Sequence, residues 1–280
     1  MSLFDAFGYA GKQVLVVGGA SGMGAAAVEV LLAAGADVVV MDYAELAQAG
    51  VTAVHVNLAD RASIDAAIQA ASEHCDRPFD ALLACAGVAD GTPGIERINF
   101  IGHRYLIDAL LERDLLARGS AIGMISSAAG LGWEPNIDQI AELLDITDWD
   151  AAVAWTQANG KADYMSMKRA MCAYVASQAY PLLKRGIRIN AICPGPTDTP
   201  LAQANAETWL GFGSDYRAAV GTQACTPLEQ AYPLVFLCSD AAAAINGQTL
   251  VSDQGYLMSG ITGSFPDAGP TAQFLYGRFG

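Results

Sequence analysis

Short apolar runs recur along the chain and alternate with longer stretches in which helix-forming residues dominate. Continuous runs rich in branched aliphatic residues are typical of strands buried on both faces of a parallel sheet. We predict strands at residues 13–17, 37–41, 52–56, 79–85, 120–125, 187–193 and 248–251. Strands separated by helices predict one α/β domain over residues 1–280, with a doubly wound parallel sheet of about seven strands and helices on both faces.

The helical stretches divide the rest of the chain. We predict helices at residues 25–34, 61–74, 94–117, 138–144, 148–158 and 228–238, and another that begins near Tyr164. Residues 131–161 depart from the alternation and predict a helical insertion before the Tyr164 helix. Residues 198–226 predict a mobile substrate lid. Residues 255–280 predict an irregular C-terminal tail, whose aromatic residues could close the chain's own pocket or that of a neighbour.

Composition and charge narrow the class of protein. The 280 residues are 53% hydrophobic, which can supply a sizeable core, and the formal charge of −14 disfavours nucleic acid and anionic lipid as partners. The apolar runs are too short to cross a bilayer, and residues 1–11 lack the features of a signal peptide. We therefore expect a soluble cytoplasmic protein. The six cysteines form no C-x-x-C pair and the three histidines have no ligand spacing, so we expect free thiols and no metal site.

A glycine-rich turn follows the first predicted strand and leads directly into a helix. The turn contains Gly18, Gly22 and Gly24. Glycines in this context let the backbone approach a pyrophosphate, whose charge is met by the helix N-terminus. The second strand ends in Asp42, a carboxylate that can bind ribose hydroxyls and would repel a 2′-phosphate. This pattern predicts a dinucleotide site that prefers NAD to NADP, although a glycine turn can also be only a tight turn.

Tyr164 and Lys168 lie four residues apart in a predicted helix, which places both on one face. A phenol has a pKa near ~10 and is a poor acid or base at neutral pH. A cation beside it favours the phenolate, so we predict that Lys168 lowers the pKa of Tyr164. Ser126 and Ser127 end the fifth strand, at the edge where open α/β sheets bind ligands. Alone, the Tyr and Lys pair is equally compatible with a half-buried tyrosine and a solvated lysine.

With the glycine turn, Asp42, Asn99, Ser127, Tyr164 and Lys168 in this order, the chain resembles the short-chain dehydrogenase/reductase family from about residue 13 to 255. The resemblance implies a Rossmann-type fold. It also implies that Tyr164 is the general acid and base, and that Lys168 lowers the pKa of Tyr164 and binds the nicotinamide ribose. By the same resemblance, Ser127 holds the substrate oxygen and Asn99 holds a water of the proton relay. Helix propensity alone gives a different expectation for Asn99: because Asn is a poor residue inside a helix, it marks either an exposed position or a break in the helix, and we expect exposure.

The same resemblance implies the residues that bind NAD. They are Gly18, Ser21, Gly22, Met23, Gly24, Asp42, Asn57, Leu58, Ala86, Gly87, Tyr164, Lys168, Pro194, Gly195, Thr197 and Thr199. Asn57 stands where the family usually has Asp, and Cys85 where it usually has Asn.

The long spacing between Ser127 and Tyr164 and the run from Pro194 to Leu201 are similar to the bacterial 3α-hydroxysteroid dehydrogenase/carbonyl reductase subgroup. This likeness implies an NAD-dependent enzyme that interconverts a secondary alcohol and its ketone, with a hydroxysteroid or another bulky cyclic alcohol as the small-molecule substrate. Terpenoid, polyol and 3-hydroxyacyl substrates stay open as alternatives, as does a protein that binds NAD without catalysis. The family likeness also implies a homodimer or homotetramer.

Overall fold

The computed structural model describes residues 4–277 and contains one parallel sheet of seven strands in the order β3-β2-β1-β4-β5-β6-β7. Every paired register is parallel. The strands are β1 (Gln13–Val17), β2 (Asp37–Asp42), β3 (Val51–His55), β4 (Phe79–Ala84), β5 (Leu116–Ile125), β6 (Arg188–Pro194) and β7 (Thr249–Ser252). The predicted doubly wound parallel sheet is confirmed.

The helices cover both faces of this sheet. They are α1 (Gly22–Ala33), α2 (Arg61–Glu73), α3 (Gly102–Glu112), α4 (Ile137–Asp145), α5 (Trp149–Ala158), α6 (Tyr164–Lys184), α7 (Pro200–Gln203), α8 (Ala206–Trp209), α9 (Ser214–Val220), α10 (Pro227–Cys238), α11 (Tyr256–Thr262) and α12 (Gly269–Tyr276). Side chains that accept backbone N–H groups fix several helix starts. Asp60 caps α2, Asp148 caps α5, Asp163 caps α6, and Thr226 forms a capping box with Glu229 in α10.

Alternate residues of the central strands point into two separate hydrophobic cores. Leu15 and Val17 of β1 pack with α2, α3 and α6 on one face. Val14 and Val16 pack with α1 and α10 on the other. Because successive side chains of a strand point to opposite faces, a strand buried on both sides must be apolar throughout. This requirement explains the continuous apolar runs in the sequence.

The sheet order reverses at β1, since β2 lies on one side of it and β4 on the other. At such a point the connections leave in opposite directions and open a crevice beyond the carboxyl ends of the strands. The glycine turn after β1 and the loops after β2, β4, β5 and β6 all meet at this edge.

Two predicted elements differ from the structure. Residues 94–117 do not form one helix: a π-helical turn at Arg97–Ile101 precedes α3, and β5 already begins at Leu116. The tail, predicted to be irregular, contains α11 and α12, although Phe279 and the rest of residues 278–280 lie outside the described residues. Within residues 4–277, no helix is long and apolar enough to cross a membrane.

Candidate active site

Two adjoining cavities lie along the carboxyl edge of the sheet. The larger, about 490 Å³, extends over the glycine turn to Asp42 and is named here the nucleotide cavity. The smaller, about 360 Å³, is bounded by the ends of β5 and β6, α6 and residues 194–212, and is named the substrate cavity. Both are lined by Met23, Cys85, Gly87, Thr199 and Leu201. A ligand in one cavity therefore lies directly beside a ligand in the other.

The glycine turn has a conformation that only small residues permit. Gly18 has a φ of +88°, and a Cβ at this position would overlap the backbone of Ala86. A Cβ at Gly24 would overlap the carbonyl oxygen of Gly18. The turn thus brings the N-terminus of α1 against the end of β4 and leaves an open backbone surface toward the nucleotide cavity. This cradle fits a pyrophosphate, which backbone N–H groups and the helix N-terminus would bind.

Asp42 ends β2 at the far side of the nucleotide cavity. One carboxylate oxygen accepts the N–H of Ala20 at 2.8 Å and the other accepts the N–H of Ala44 at 2.9 Å. These bonds hold the carboxylate against the glycine turn, where it lines the cavity. Next to it, Asn57 accepts the N–H of Ala59 through its own side-chain oxygen. The nucleotide cavity therefore has one negative charge at the position where a ribose would lie.

Lys168 is almost completely buried, with 3% of its surface exposed. Its ammonium donates to the carbonyl oxygen of Ile125 at 2.8 Å and lies 5.6 Å from the centre of the Tyr164 ring. Burial disfavours the charged form and lowers the pKa of Lys168 to about 8. Lys168 is thus a cation held at the floor of the substrate cavity by a backbone carbonyl rather than by a carboxylate.

Tyr164 begins α6 and lines the substrate cavity together with Ser127. The predicted lowering of the Tyr164 pKa is wrong: burial raises the pKa of this phenol, while a hydrogen bond with the Ser127 hydroxyl lowers it and the Asp90 carboxylate raises it. Burial dominates because the phenolate loses more by leaving water than it gains from one hydroxyl partner. Among the groups that act on this pKa, the Ser127 hydroxyl lowers it, while burial, Asp90 and Cys193 raise it.

The two neighbouring serines have different surroundings. Ser126 is buried, and its hydroxyl donates to the backbone carbonyl of Lys168 at 3.0 Å. It also accepts from the thiol of Cys172, which lies 3.7 Å from the thiol of Cys193. Ser126 therefore fixes α6 against β5, whereas the Ser127 hydroxyl accepts the N–H of Ala129 and lies beside Tyr164.

Asn99 is fully buried, so the exposure expected from its position in a helix is wrong. Its side-chain oxygen accepts the N–H of Val88 at 2.8 Å and its amide donates to the carbonyl of Val88 at 2.9 Å. The π-helical turn at Arg97–Ile101 inserts an extra residue into the helix and aims Asn99 inward, as such turns often do near functional sites. Asn99 lines neither cavity, and it fixes the loop after β4, including Gly87.

The loop after β6 closes the site from above. Gly195 lies so close to Asp253 that a Cβ would contact it at 2.8 Å. Thr197 donates to the carbonyl of Gly195, and Thr199 caps α7 by accepting the N–H of Ala202. Together with Pro194, these residues line the substrate cavity between the two ligand positions.

The sixteen residues that the family resemblance assigns to NAD all line one or both cavities. Those in the nucleotide cavity are Gly18, Ser21, Gly22, Met23, Gly24, Asp42, Asn57, Leu58, Ala86, Gly87 and Thr199. Those in the substrate cavity are Met23, Gly87, Tyr164, Lys168, Pro194, Gly195, Thr197 and Thr199, with Ser127 beside them.

Sequence reasoning missed the residues that give the substrate cavity its shape and charge. Trp209 packs its ring 5.0 Å from that of Tyr164, and Leu275 of α12 reaches the cavity of its own chain. Asp90 lines the mouth of the same cavity. The aromatics of residues 198–226 were the only sequence signal for Trp209. No local pattern indicates Asp90 or Leu275, because both are brought to the cavity by loops and helices distant in sequence.

Comparison with known proteins shows the family. Residues 18–257 match a family model described as Enoyl-(Acyl carrier protein) reductase, and the chain belongs to the short-chain dehydrogenase/reductase family. It is an oxidoreductase of that family and takes a nicotinamide cofactor.

Among the relatives, cis-4-hydroxycyclohexanecarboxylate dehydrogenase of Sinomonas cyclohexanicum is 31% identical over 89% of this chain and 97% of its own. The 3-alpha-hydroxysteroid dehydrogenase/carbonyl reductase of Comamonas testosteroni is 29% identical over 86% of this chain and 95% of its own. A crystal structure of the 3-alpha-hydroxysteroid dehydrogenase from Pseudomonas sp. B-0831 complexed with NADH superposes with a TM-score of 0.73, at 26% identity, over 91% of this chain and 99% of that chain. The names of these two relatives therefore refer to cyclic alcohols of different size and charge.

Proposed function

We propose that this protein is an NAD-dependent dehydrogenase that interconverts a bulky cyclic secondary alcohol, such as a hydroxysteroid, and its ketone. The observation that carries the proposal is the convergence of Ser127, Tyr164 and Lys168 in a cavity of about 360 Å³ that adjoins the nucleotide cavity. A non-catalytic binding protein would have no need to keep this set together. The NADH complex of a related hydroxysteroid dehydrogenase supports the same class of reaction.

The walls of the substrate cavity favour an apolar substrate. Besides the reacting groups, apolar side chains dominate its lining, including Met165, Leu201, Trp209, Phe212 and Leu275. Aromatic and aliphatic walls stabilise a flat apolar ring system by burying its surface, whereas a polyol would leave its hydroxyls without partners there. The cavity therefore supports a steroid or another alicyclic substrate over a sugar alcohol.

The chain's own groups would handle the oxygen and proton of the substrate. The residues of the nucleotide cavity would hold a nicotinamide cofactor, which would supply the hydride donor or acceptor for the carbinol carbon. In ketone reduction, the Tyr164 hydroxyl donates its proton to the substrate oxygen while Ser127 donates a hydrogen bond to the negative charge that develops there. In alcohol oxidation, the Tyr164 phenolate takes the hydroxyl proton. Lys168 is charged at neutral pH and lies close to the phenol ring. It therefore stabilises negative charge on the Tyr164 oxygen in either direction of the reaction.

Asp42 supports NAD over NADP. Its carboxylate is held in place by Ala20 and Ala44 at the far end of the nucleotide cavity, where it would accept hydrogen bonds from ribose hydroxyls and repel a 2′-phosphate. Residues 43–60, which follow Asp42, contain no Arg or Lys that could bind such a phosphate.

The experiment that tests the function is a panel of ketones with NADH and with NADPH, followed by the loss of cofactor absorbance. Steroid and alicyclic ketones should be reduced with NADH, and Tyr164→Phe should lower kcat by several orders of magnitude while NADH binding persists. Tyr180→Phe is the matched control, because Tyr180 lies on the same helix and is 72% exposed. Near-normal turnover by Tyr164→Phe would remove Tyr164 from the proton transfer, and an inactive wild type would reject the proposal.

We also propose that the protein forms a homodimer or homotetramer, as the family resemblance implies. Exposed apolar side chains on α6 and α10, Leu183 and Tyr232, are available to such contacts. Light scattering at micromolar concentration tests this point, and a monomeric mass would contradict it.

A further inference from the structure

We propose that Asp90 sets the charge selectivity of the substrate cavity, so that the enzyme favours neutral ketones and alcohols over those that carry a carboxylate. The inference rests on the proposed function, because it concerns the same cavity. It goes beyond the assignment of a cyclic substrate, since related enzymes are named for both anionic and neutral cyclic alcohols.

Asp90 is held at the cavity mouth by one specific contact. Its carboxylate accepts the backbone N–H of Tyr164 at 2.7 Å, which joins the loop after β4 to the first residue of α6. The first N–H groups of a helix have no partner within the helix and favour a negative charge. The first N–H group of α6 therefore fixes this carboxylate beside the residue that carries the reacting phenol. Asp90 lines the substrate cavity while remaining exposed to solvent.

The basic side chain that lines the substrate cavity is bonded to a backbone carbonyl and not to Asp90. Among the described residues that line it, the charged ones are Asp90 and Lys168. Lys168 lies at the floor, where it donates to the Ile125 carbonyl oxygen, and its pKa is lowered to about 8. A carboxylate on the substrate, entering past Asp90 into apolar surroundings, would be both desolvated and repelled. A neutral substrate of the same shape would meet neither penalty.

The Asp90 charge also acts on the reacting group itself. Tyr164 is faced by Asp90 from the loop after β4, by Ser127 from the end of β5, by Cys193 from β6 and by Lys168 from its own helix. Asp90 and Cys193 raise the pKa of Tyr164, and Ser127 lowers it. Removal of the Asp90 charge should therefore lower the pKa of Tyr164. A residue that only stabilised the loop after β4 would not change the pKa of Tyr164 in this way.

The test compares wild type with Asp90→Asn, which removes the charge but keeps an oxygen that can accept the Tyr164 N–H. The probes are 4-oxocyclohexanecarboxylate and its neutral amide, with NADH at low ionic strength. We expect wild type to favour the amide and the variant to reduce that preference in kcat/KM by roughly five- to tenfold, since the two charges lie in a partly screened site. Added salt should reduce the preference of wild type for the amide. In alcohol oxidation, the rate of the variant should rise with pH at a lower pH than the rate of wild type.

Asp163→Asn is the matched control. Asp163 caps the same helix through the N–H of Ser166, does not line the cavity, and Asn is an equally good cap. This variant should keep the wild-type preference between amide and carboxylate and the wild-type pH profile. A preference that is equal in wild type and Asp90→Asn, or one that Asp163→Asn changes just as much, overturns the assignment.

A second measurement separates this inference from the proposed function. Binding of cyclohexanecarboxamide and cyclohexanecarboxylate to the protein loaded with NADH can be followed by calorimetry without turnover. If no ketone is reduced but the amide still binds more tightly and Asp90→Asn narrows the gap, the function fails and the role of Asp90 stands. If ketones are reduced with no effect of Asp90→Asn on the charge preference, the role of Asp90 fails and the function stands. Binding of neither ligand would also contradict the role of Asp90.

Discussion

The ammonium of Lys168 lies 5.6 Å from the centre of the Tyr164 ring and donates its hydrogen bond to the carbonyl oxygen of Ile125. This arrangement places the charge beneath the phenol without a direct bond to its oxygen. A buried ammonium without a carboxylate partner destabilises the folded state, as the lowered pKa of about 8 indicates. The same residue thus supplies a charge to the site and weakens the fold.

Replacement of Lys168 by Met should therefore stabilise the protein while it abolishes activity. The fall in pKa from 10.5 to about 8 corresponds to an upper limit of about 3 kcal/mol at pH 7. In the variant the Ile125 carbonyl loses its hydrogen-bond donor, which costs about 1 kcal/mol of stability. We therefore expect a net gain of roughly 1–2 kcal/mol in the free energy of unfolding. Denaturant unfolding of the two proteins at pH 7 measures it.

The pH dependence of the Lys168→Met result has a definite sign. Between pH 8 and 10.5 the unfolded wild type holds a proton on Lys168 that the folded protein has released, so wild-type stability rises with pH in this window. Because Met binds no proton, the stability of the variant lacks this rise. The excess in free energy of unfolding of Lys168→Met over wild type should therefore decrease as pH rises from 8 to 10.5. An advantage that is constant with pH would show that burial of the charge is not its cause.

Replacement of Ser127 by Ala should shift the pH dependence of catalysis as well as its rate. The Ser127 hydrogen bond lowers the pKa of Tyr164, so its loss should raise that pKa further and move the rise of alcohol oxidation to higher pH. The loss of one donor to the substrate oxygen should lower kcat by roughly 100-fold to 1,000-fold. The profile of kcat against pH for wild type and variant measures both effects.

Ser126→Ala provides the matched control for this change. Ser126 is buried one residue away, and its hydroxyl donates to the backbone of Lys168. Its removal should cost about 1 kcal/mol of stability but leave the pH profile of catalysis in place. A shift of equal size in both variants would mean that the two serines act only by supporting the structure.

The seven strands could be predicted because each one carries its own signal. Burial on both faces forces a continuous apolar run, and β1 and the interior of β2 show it most clearly. Asn99 could not be assigned correctly from a helical pattern, since a π-helical turn buries it and its two bonds go to Val88, eleven residues earlier in the chain. The pKa of Tyr164 was also beyond a spacing argument, because it depends on burial by residues from other parts of the chain.

The residues that form the walls of the substrate cavity could not be predicted from local sequence patterns either. Trp209 and Leu275 reach Tyr164 and its neighbours only through the folding of α8 and α12 over the site. Gly132 illustrates how tightly α12 is placed, since a Cβ there would overlap the carbonyl oxygen of Leu275. The sequence left open whether the tail would close its own pocket or a neighbour's, and within the described residues α12 contributes to the cavity of its own chain.

Replacement of Asp42 by Asn should weaken the preference for NADH. Asn keeps an oxygen for the Ala20 N–H but removes the charge that would repel a 2′-phosphate. We expect the ratio of kcat/KM with NADPH to that with NADH to rise by about tenfold or more, as the loss of a close like charge predicts. Asp37→Asn is the control, since Asp37 is exposed at the opposite end of β2 and should leave the ratio unchanged. An unchanged ratio in Asp42→Asn would mean that another group selects the cofactor.

Replacement of Leu275 by Ala should change which substrates the enzyme prefers without affecting the chemical groups. Leu275 is 6% exposed and forms part of the cavity wall, so its truncation should remove apolar contact with a large substrate. We therefore expect KM for a steroid ketone to rise by roughly tenfold, while KM for cyclohexanone changes little. Met258→Ala is the control, because Met258 is a 44% exposed apolar residue of the neighbouring α11. Steady-state kinetics with the two ketones measure the effect. Equal changes in KM for both ketones would indicate that α12 supports the fold of the lid rather than contacting the substrate.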